Sequence, residues 1–264
     1  MESLAAIIVI LHPLAATSWM TRKRENTMAE VLSRDEIDEI LTEINSGDFI
    51  PEEFIAIDFE TATDSPESAI SIGLVKYRDF RPIGSYYSLI RPPKLYIRPD
   101  FTDIHGLTLS DVENAPTFRY LWNYEIGRFW QAPLAAHHAE FDMRVLSATL
   151  AFYNISPPNI SYFCSCELAR QVWPALPSHA LSALAKEFNI SYRAHNALDD
   201  ADTCARIISL CAGKISEKAG IKETLPLNDI LSKSGIKLKW WNKKQEASVE
   251  ASAEEEQYEN FRLV

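Results

Sequence analysis

The chain predicts an α/β domain, a mixed five-stranded sheet flanked by helices. Two patterns predict it. Three strand-like runs, at 54–60, 69–77 and 82–90, follow one another with only the turn-rich TDSPES and the polar RDFR between them, as in an antiparallel meander. From about residue 117 the pattern changes to alternating helical and strand periods, the mark of β-α-β units whose helices cover a sheet. With 264 residues, 47% of them hydrophobic, the chain can bury one full core and still carry appendages.

Taken in order, Ser33-x-x-Glu36 forms a capping box, and Ile37, Ile40, Leu41 and Ile44 follow at helical spacing until Gly47. This predicts an amphipathic helix that packs on the domain. The three meander strands come next, then a Pro-rich loop around 92–99. A helix is predicted over 117–130, a short buried strand over 133–137 and a helix over 140–153, with Phe141, Val145, Leu146 and Leu150 on one face. A strand at 160–164 and helices at 166–173, 179–188 and 197–212 complete the domain. Aromatic residues at 86–87 and 120–130 read as core and helix packing.

The predicted organisation is a disordered leader (1–32), the amphipathic helix and a linker (33–52), the domain (53–212), a Lys-rich extension (213–244) and a disordered acidic tail (245–264). The apolar run 4–11 is too short to span a bilayer, and the basic cluster Arg22-Lys23-Arg24 follows it where a signal peptide would place it first. No stable membrane association is expected, and Met28 is a candidate natural start. A membrane tether through residues 4–20 is the competing account. Four cysteines without zinc-like spacing (Cys164, Cys166, Cys204, Cys211) read as reduced buried thiols, which fits a cytoplasmic protein.

The net charge of -11 is unevenly spread. Residues 213–244 hold 8 Lys against 3 acids, whereas 54–212 holds 13 basic and 17 acidic side chains. Four carboxylates in suggestive contexts account for the whole excess in the domain. Asp58 and Glu60 end the first strand in FIAIDFET, and alternation points residues i and i+2 to one side. Asp142 lies in HHAEFD at a helix start, and Asp200 in HNALDDA, five residues after His195. Each motif alone is weak, because carboxylates often end strands or sit at helix N-termini. Together, at the end of the first strand and the starts of two later helices, they predict one metal cradle. The Lys-rich extension with Trp240-Trp241 reads as a solvated linker, with phosphate contact and base stacking as the competing account.

The pattern resembles the histidine-containing branch of the DEDD superfamily of 3′-to-5′ exonucleases, which includes the proofreading epsilon subunit of bacterial DNA polymerase III. The resemblance covers roughly residues 53–212, with SISIGLVKY similar to the family's second strand and DIHGLTLSDVENAPTF similar to its segment against the terminal nucleotide. It implies an RNase H-like fold, two Mg²⁺ or Mn²⁺ ions and release of nucleoside monophosphates. By the resemblance, Asp58, Glu60, Asp142 and Asp200 are the metal-binding carboxylates and His195 the general base. Asp199 falls one place out of register. Thr61, Ile104, His105 and His138 are the implied substrate contacts, His138 standing where the family commonly has Asn. The implied substrate is a single-stranded DNA 3′ end and the implied partner a DNA polymerase; RNA is the alternative substrate, and a silent binding module the alternative function.

The chemistry suits these residue types independently. Phosphodiester hydrolysis needs an activated water and stabilisation of the leaving 3′ oxygen, and two divalent ions about 4 Å apart supply both. Hard oxygen ligands suit Mg²⁺ or Mn²⁺, and a histidine titrating near neutrality suits proton transfer, a role worth ~10²–10⁴ in rate.

Overall fold

The computed structural model describes residues 53–127 and 129–241. The expected leader, the amphipathic helix at 33–47 and the acidic tail lie outside them. Strands β1 (Glu53–Thr61), β2 (Ala69–Arg78) and β3 (Arg81–Leu89) form the expected antiparallel meander. β4 (Leu134–Ala136) then pairs parallel to β1, and β5 (Ile160–Cys164) parallel to β4.

The sheet has six strands and not five, in the order β3-β2-β1-β4-β5-β6. The added strand, β6 (Lys239–Trp241), pairs antiparallel with Ile160–Tyr162 at the edge. Three residues beside a run of lysines carry too little alternation to announce a strand. Only the pairing with β5 defines it.

The first five helices are α1 (Pro99–His105), α2 (Leu109–Val112), α3 (Phe118–Leu121), α4 (Glu140–Phe152) and α5 (Ser165–Val172). They are followed by α6 (Leu181–Glu187), α7 (Ala197–Lys218) and α8 (Leu227–Ser234). The long helix predicted over 117–130 is shorter. After α3 it passes into a π-helical turn, Trp122–Ile126, and Gly127 ends it with its Cα so near the Trp122 carbonyl that a Cβ would lie 2.5 Å away. The sequence reading missed α1 and α2, although their punctuation is present. Pro99 opens α1, Gly106 closes it in the left-handed conformation, and Thr108 and Asp111 form a reciprocal capping box for α2.

β1 separates two cores by strict alternation. Ile55, Ile57 and Phe59 pack with Leu134, Val145, Leu146 and Leu150 on the α4 side. Phe54 and Ala56 pack with Phe163, Leu168, Ala201, Cys204 and Ile208 on the α7 side. Trp122 and Trp130 stack within the first core beside Phe118, the packing expected of this aromatic stretch, whereas its Tyr120 and Tyr124, and Tyr87 of β3, are exposed. On the second side, Leu227, Ile230 and Leu231 of α8 are buried with α7. The boundary expected after Ala212 therefore falls inside a 22-residue helix, and the Lys-rich extension as far as Trp241 is packed structure and not a solvated linker.

This packing gives a test. Ile230→Ala removes a fully buried side chain and should cost about 2–5 kcal/mol of stability, read from urea unfolding. A solvated linker would show no change.

Candidate active site

The site forms where β4 stops short of β1. β4 is in register with Ile55 and Ala56 and ends at Ala136, while β1 runs on to Thr61. The Ile55 N–H bonds the Pro133 carbonyl at 2.9 Å, so the odd-numbered N–H groups of β1 face β4. Beyond the end of β4 the Phe59 N–H has no strand partner. It donates instead to Asp142 Oδ1 at 3.1 Å. One buried hydrogen bond thus satisfies an orphan amide and fixes the first turn of α4 against the end of β1.

The even-numbered residues Asp58 and Glu60 face the other side, toward α7. There, Gly73 of β2 lies opposite Asp58 in the ladder. A Cβ on Gly73 would meet the Ala197 carbonyl oxygen at 2.1 Å and the Leu198 nitrogen at 2.5 Å. The first turn of α7 therefore rests directly on the glycine backbone, which brings Asp200 beside Asp58 and Glu60. Carboxylate oxygens of Asp58, Glu60 and Asp200 lie within 4.8 Å of one another. Gly73 is not among the residues that the motifs single out, and a glycine inside a strand pattern is the signal that marks close backbone approach.

Asn196 caps α7, its side-chain oxygen accepting the Asp199 N–H at 3.2 Å. Asp199 points away and pairs with Arg193 at 2.8 Å, consistent with its exclusion from the cluster. His195 is exposed in the segment before the cap, in the left-handed conformation (φ 62°).

The cluster is electrostatically costly without a cation. Burial, then repulsion from Asp142, Asp200 and Glu60, raises the Asp58 carboxyl well above its usual range. Burial and then Asp200 push Glu60 up to about 7. Burial raises Asp200 to about 6, opposed by the nearby His195 and by backbone hydrogen bonds at His195 and Asn196. Asp142 is raised by burial despite the Phe59 amide. None of the four forms an ion pair with Lys or Arg among the described residues. An all-oxygen donor set, crowded and without a protein counter-charge, fits a hard divalent cation.

A cavity of about 410 Å³ opens over the cluster. Thr61, Phe101, Ile104, His105, His138, Leu181, Tyr192 and His195 are among its lining residues, so all four expected substrate contacts border it. They are not equivalent. Ile104 is half exposed at 51%, whereas the His105 ring turns inward, its Nδ1 accepting the Leu107 N–H at 3.0 Å and its Nε2 buried. Thr61 is buried at the irregularity that ends the β1–β2 register. His138 is exposed and, like His195, left-handed (φ 63°).

Fold and cluster define a metal-dependent class of α/β nuclease, and comparison with known proteins makes this specific. The exonuclease family model RNase_T matches residues 55–208, and the chain belongs to that family. The DNA polymerase III subunit epsilon of Treponema pallidum is 31% identical over 162 residues, covering 59% of this chain and 74% of that protein. The PolC-type DNA polymerase III of Clostridium perfringens is 27% identical over 181 residues, 67% of this chain but only 12% of that protein. The chain thus spans about an eighth of the PolC-type relatives. Among solved structures, exonuclease X in complex with 5′-overhanging duplex DNA aligns with a TM-score of 0.52 at 23% identity, over 67% of this chain and 98% of that one. The fold is RNase H-like, and the resemblance to DEDD 3′-to-5′ exonucleases of the epsilon type holds. Exonucleases of this family are divalent-metal dependent. No helix among the described residues is long and apolar enough to cross a membrane.

The raised carboxyls set a sign for stability against pH. A folded-state pKa above the unfolded value means stability is fully present below the unfolded pKa and is lost as pH rises through the folded one. With Glu60 at about 7 and Asp200 at about 6, chelator-treated protein should lose melting temperature between about pH 4 and pH 7. Mn²⁺ added at pH 8 should restore it. Asp58→Asn should raise the melting temperature of the chelated protein at pH 8 and shrink the Mn²⁺ response; a lowered melting temperature would contradict this account. Gly73→Ala should displace the start of α7 and weaken Mn²⁺ binding, measured by calorimetry.

Proposed function

We propose that this chain is a 3′-to-5′ exonuclease that hydrolyses the terminal phosphodiester bond of single-stranded DNA and releases nucleoside monophosphates. The observation that carries the reading is the convergence of Asp58, Glu60 and Asp200, with Asp142 anchored beside them, under a cavity of about 410 Å³. Two Mg²⁺ or Mn²⁺ ions held by these four carboxylates would neutralise the cluster, polarise the scissile phosphate and stabilise the leaving 3′ oxygen.

The chain's own residues supply the remaining parts. The His195 imidazole takes the proton of the attacking water, and its place beside the Asn196 cap sets it on the wall of the cavity that holds Asp58, Glu60 and Asp200. Ile104 and Phe101 offer an apolar wall to the terminal base and sugar, with Leu181 and Tyr192 among the other lining residues. Thr61 and His138 border the same space and are the polar contacts to the strand.

Similarity to an epsilon subunit and to PolC-type polymerases supports DNA as the substrate and a replicative polymerase as partner. The four free, buried cysteines support a cytoplasmic setting.

The test is release from 3′-labelled and 5′-labelled DNA oligonucleotides, beside a matched RNA. Wild type with Mn²⁺ should release labelled mononucleotide at once from the 3′-labelled strand and a ladder from the 5′-labelled one. EDTA or Asp200→Ala should abolish both signals, and His195→Gln should slow them by ~10²–10⁴. Faster release from RNA would reassign the substrate, and immediate release of the 5′ label would overturn the polarity. Metal-independent activity, equal in wild type and Asp58→Ala, would overturn the site.

A further inference from the structure

A second group of side chains able to bind a metal, of different chemistry, lies beside the same cavity, with His137 and His138 on its wall and Cys166 buried behind them. A ring nitrogen of His137, one of His138 and the Cys166 sulfur lie within 4.8 Å of one another. We propose that His137, His138 and Cys166 form a regulatory site for a thiophilic cation such as Zn²⁺, distinct from the carboxylate cluster.

The hydrogen bonds around these residues show how a cation would be accommodated. His137 Nε2 lies 2.8 Å from the His179 carbonyl and Cys166 Sγ donates to the same oxygen at 3.4 Å. A carbonyl only accepts, so Nε2 carries the proton and two X–H bonds converge on one point. On the far side of the ring, Nδ1 is 2.9 Å from the Ser165 hydroxyl.

That hydroxyl has a second acceptor, the Ala136 carbonyl at 3.3 Å. Ser165 can turn its proton to Ala136 and accept one from Nδ1, which frees Nε2 with no polar group left unpaired. This is the outer-shell arrangement that orients a ligating histidine. The only proton released is that of the Cys166 thiol, and the His179 carbonyl becomes available as a fourth, oxygen ligand. His138 completes the set. Its ring makes an edge contact with His137, with centroids 5.1 Å apart, and no hydrogen bond of its own among the described residues. Tetrahedral bonds of ~2.0–2.3 Å need donors roughly 3.3–3.7 Å apart, so the group must close by about an ångström, within reach of the exposed His138 side chain.

Donor softness separates the two sites. Nitrogen and thiolate select Zn²⁺ over Mg²⁺, whereas the four carboxylates suit the hard ion. Filling the soft site draws His138 toward Cys166 and away from the strand it borders, and slows hydrolysis. This regulatory half rests on the exonuclease reading; the cation site itself does not.

Cd²⁺ titrated into the full chain under excess Mg²⁺ should give sulfur-to-metal ultraviolet absorption saturating at one ion per chain. The absorption should vanish in Cys166→Ser, persist in Asp200→Ala, and require about tenfold or more Cd²⁺ in His138→Asn, whose exposed position leaves the fold intact. Absence of the band in wild type, or its survival in Cys166→Ser, overturns the site. Zn²⁺ should slow Mg²⁺-supported release by about tenfold in wild type and far less in Cys166→Ser. Equal inhibition of both overturns the regulatory role. A Cys166-dependent band in a protein without nuclease activity upholds the cation site and overturns the exonuclease reading instead.

Discussion

The hydrogen bond from the Phe59 amide to Asp142 is the contact on which the rest of the site depends. It exists because β4 ends at Ala136, level with Ile57, while β1 runs on to Thr61, leaving an amide that a longer neighbour would have consumed. A buried, unpaired N–H is costly, so the chain must bring an acceptor to that spot. The acceptor comes from the first turn of the next helix. The same bond that completes the backbone also delivers a carboxylate to the mouth of the sheet.

The two faces of β1 then have separate work. Its odd residues bury Ile55, Ile57 and Phe59 under α4, and its even residues bury Phe54 and Ala56 under α7 before giving way to Asp58 and Glu60. Gly73 lets α7 come close enough for Asp200 to join them. The acidic cluster is unfavourable in itself, as its raised carboxyls show. Two apolar cores on either side of a strand hold it together, and α8 and β6 extend those cores beyond the boundary that composition marked. Stored repulsion of this kind is what gives a divalent cation its hold.

Much of this was legible in the sequence for a definite reason. Strands β1 and β2 carry long apolar runs bounded by turn residues, β3 and β5 are shorter aromatic and aliphatic stretches between polar ones, and α4 and α7 carry a helical stripe; their periods survive tertiary packing. Asp58 and Glu60 share a side because strand alternation is local. Asp199 could be set apart from Asp200 by register alone, and the Arg193 pair agrees. Short elements were illegible: α1 and α2 span 7 and 4 residues, and β6 only three, too few for a period to show. The inward turn of the His105 ring was also invisible, since Leu107 N–H captures its Nδ1 only once α1 has closed.

By itself, the sequence determined the α/β class, the strand carrying the first two carboxylates and the side that these two share, because alternation and helical period are properties of neighbouring residues. Only the tertiary structure decided that the sheet has a sixth strand, that α7 sits on Gly73, and that His137 and His138 approach Cys166, 28 positions from His138. Those facts depend on contacts between segments far apart in the chain. No local pattern of residues encodes a distance of that kind.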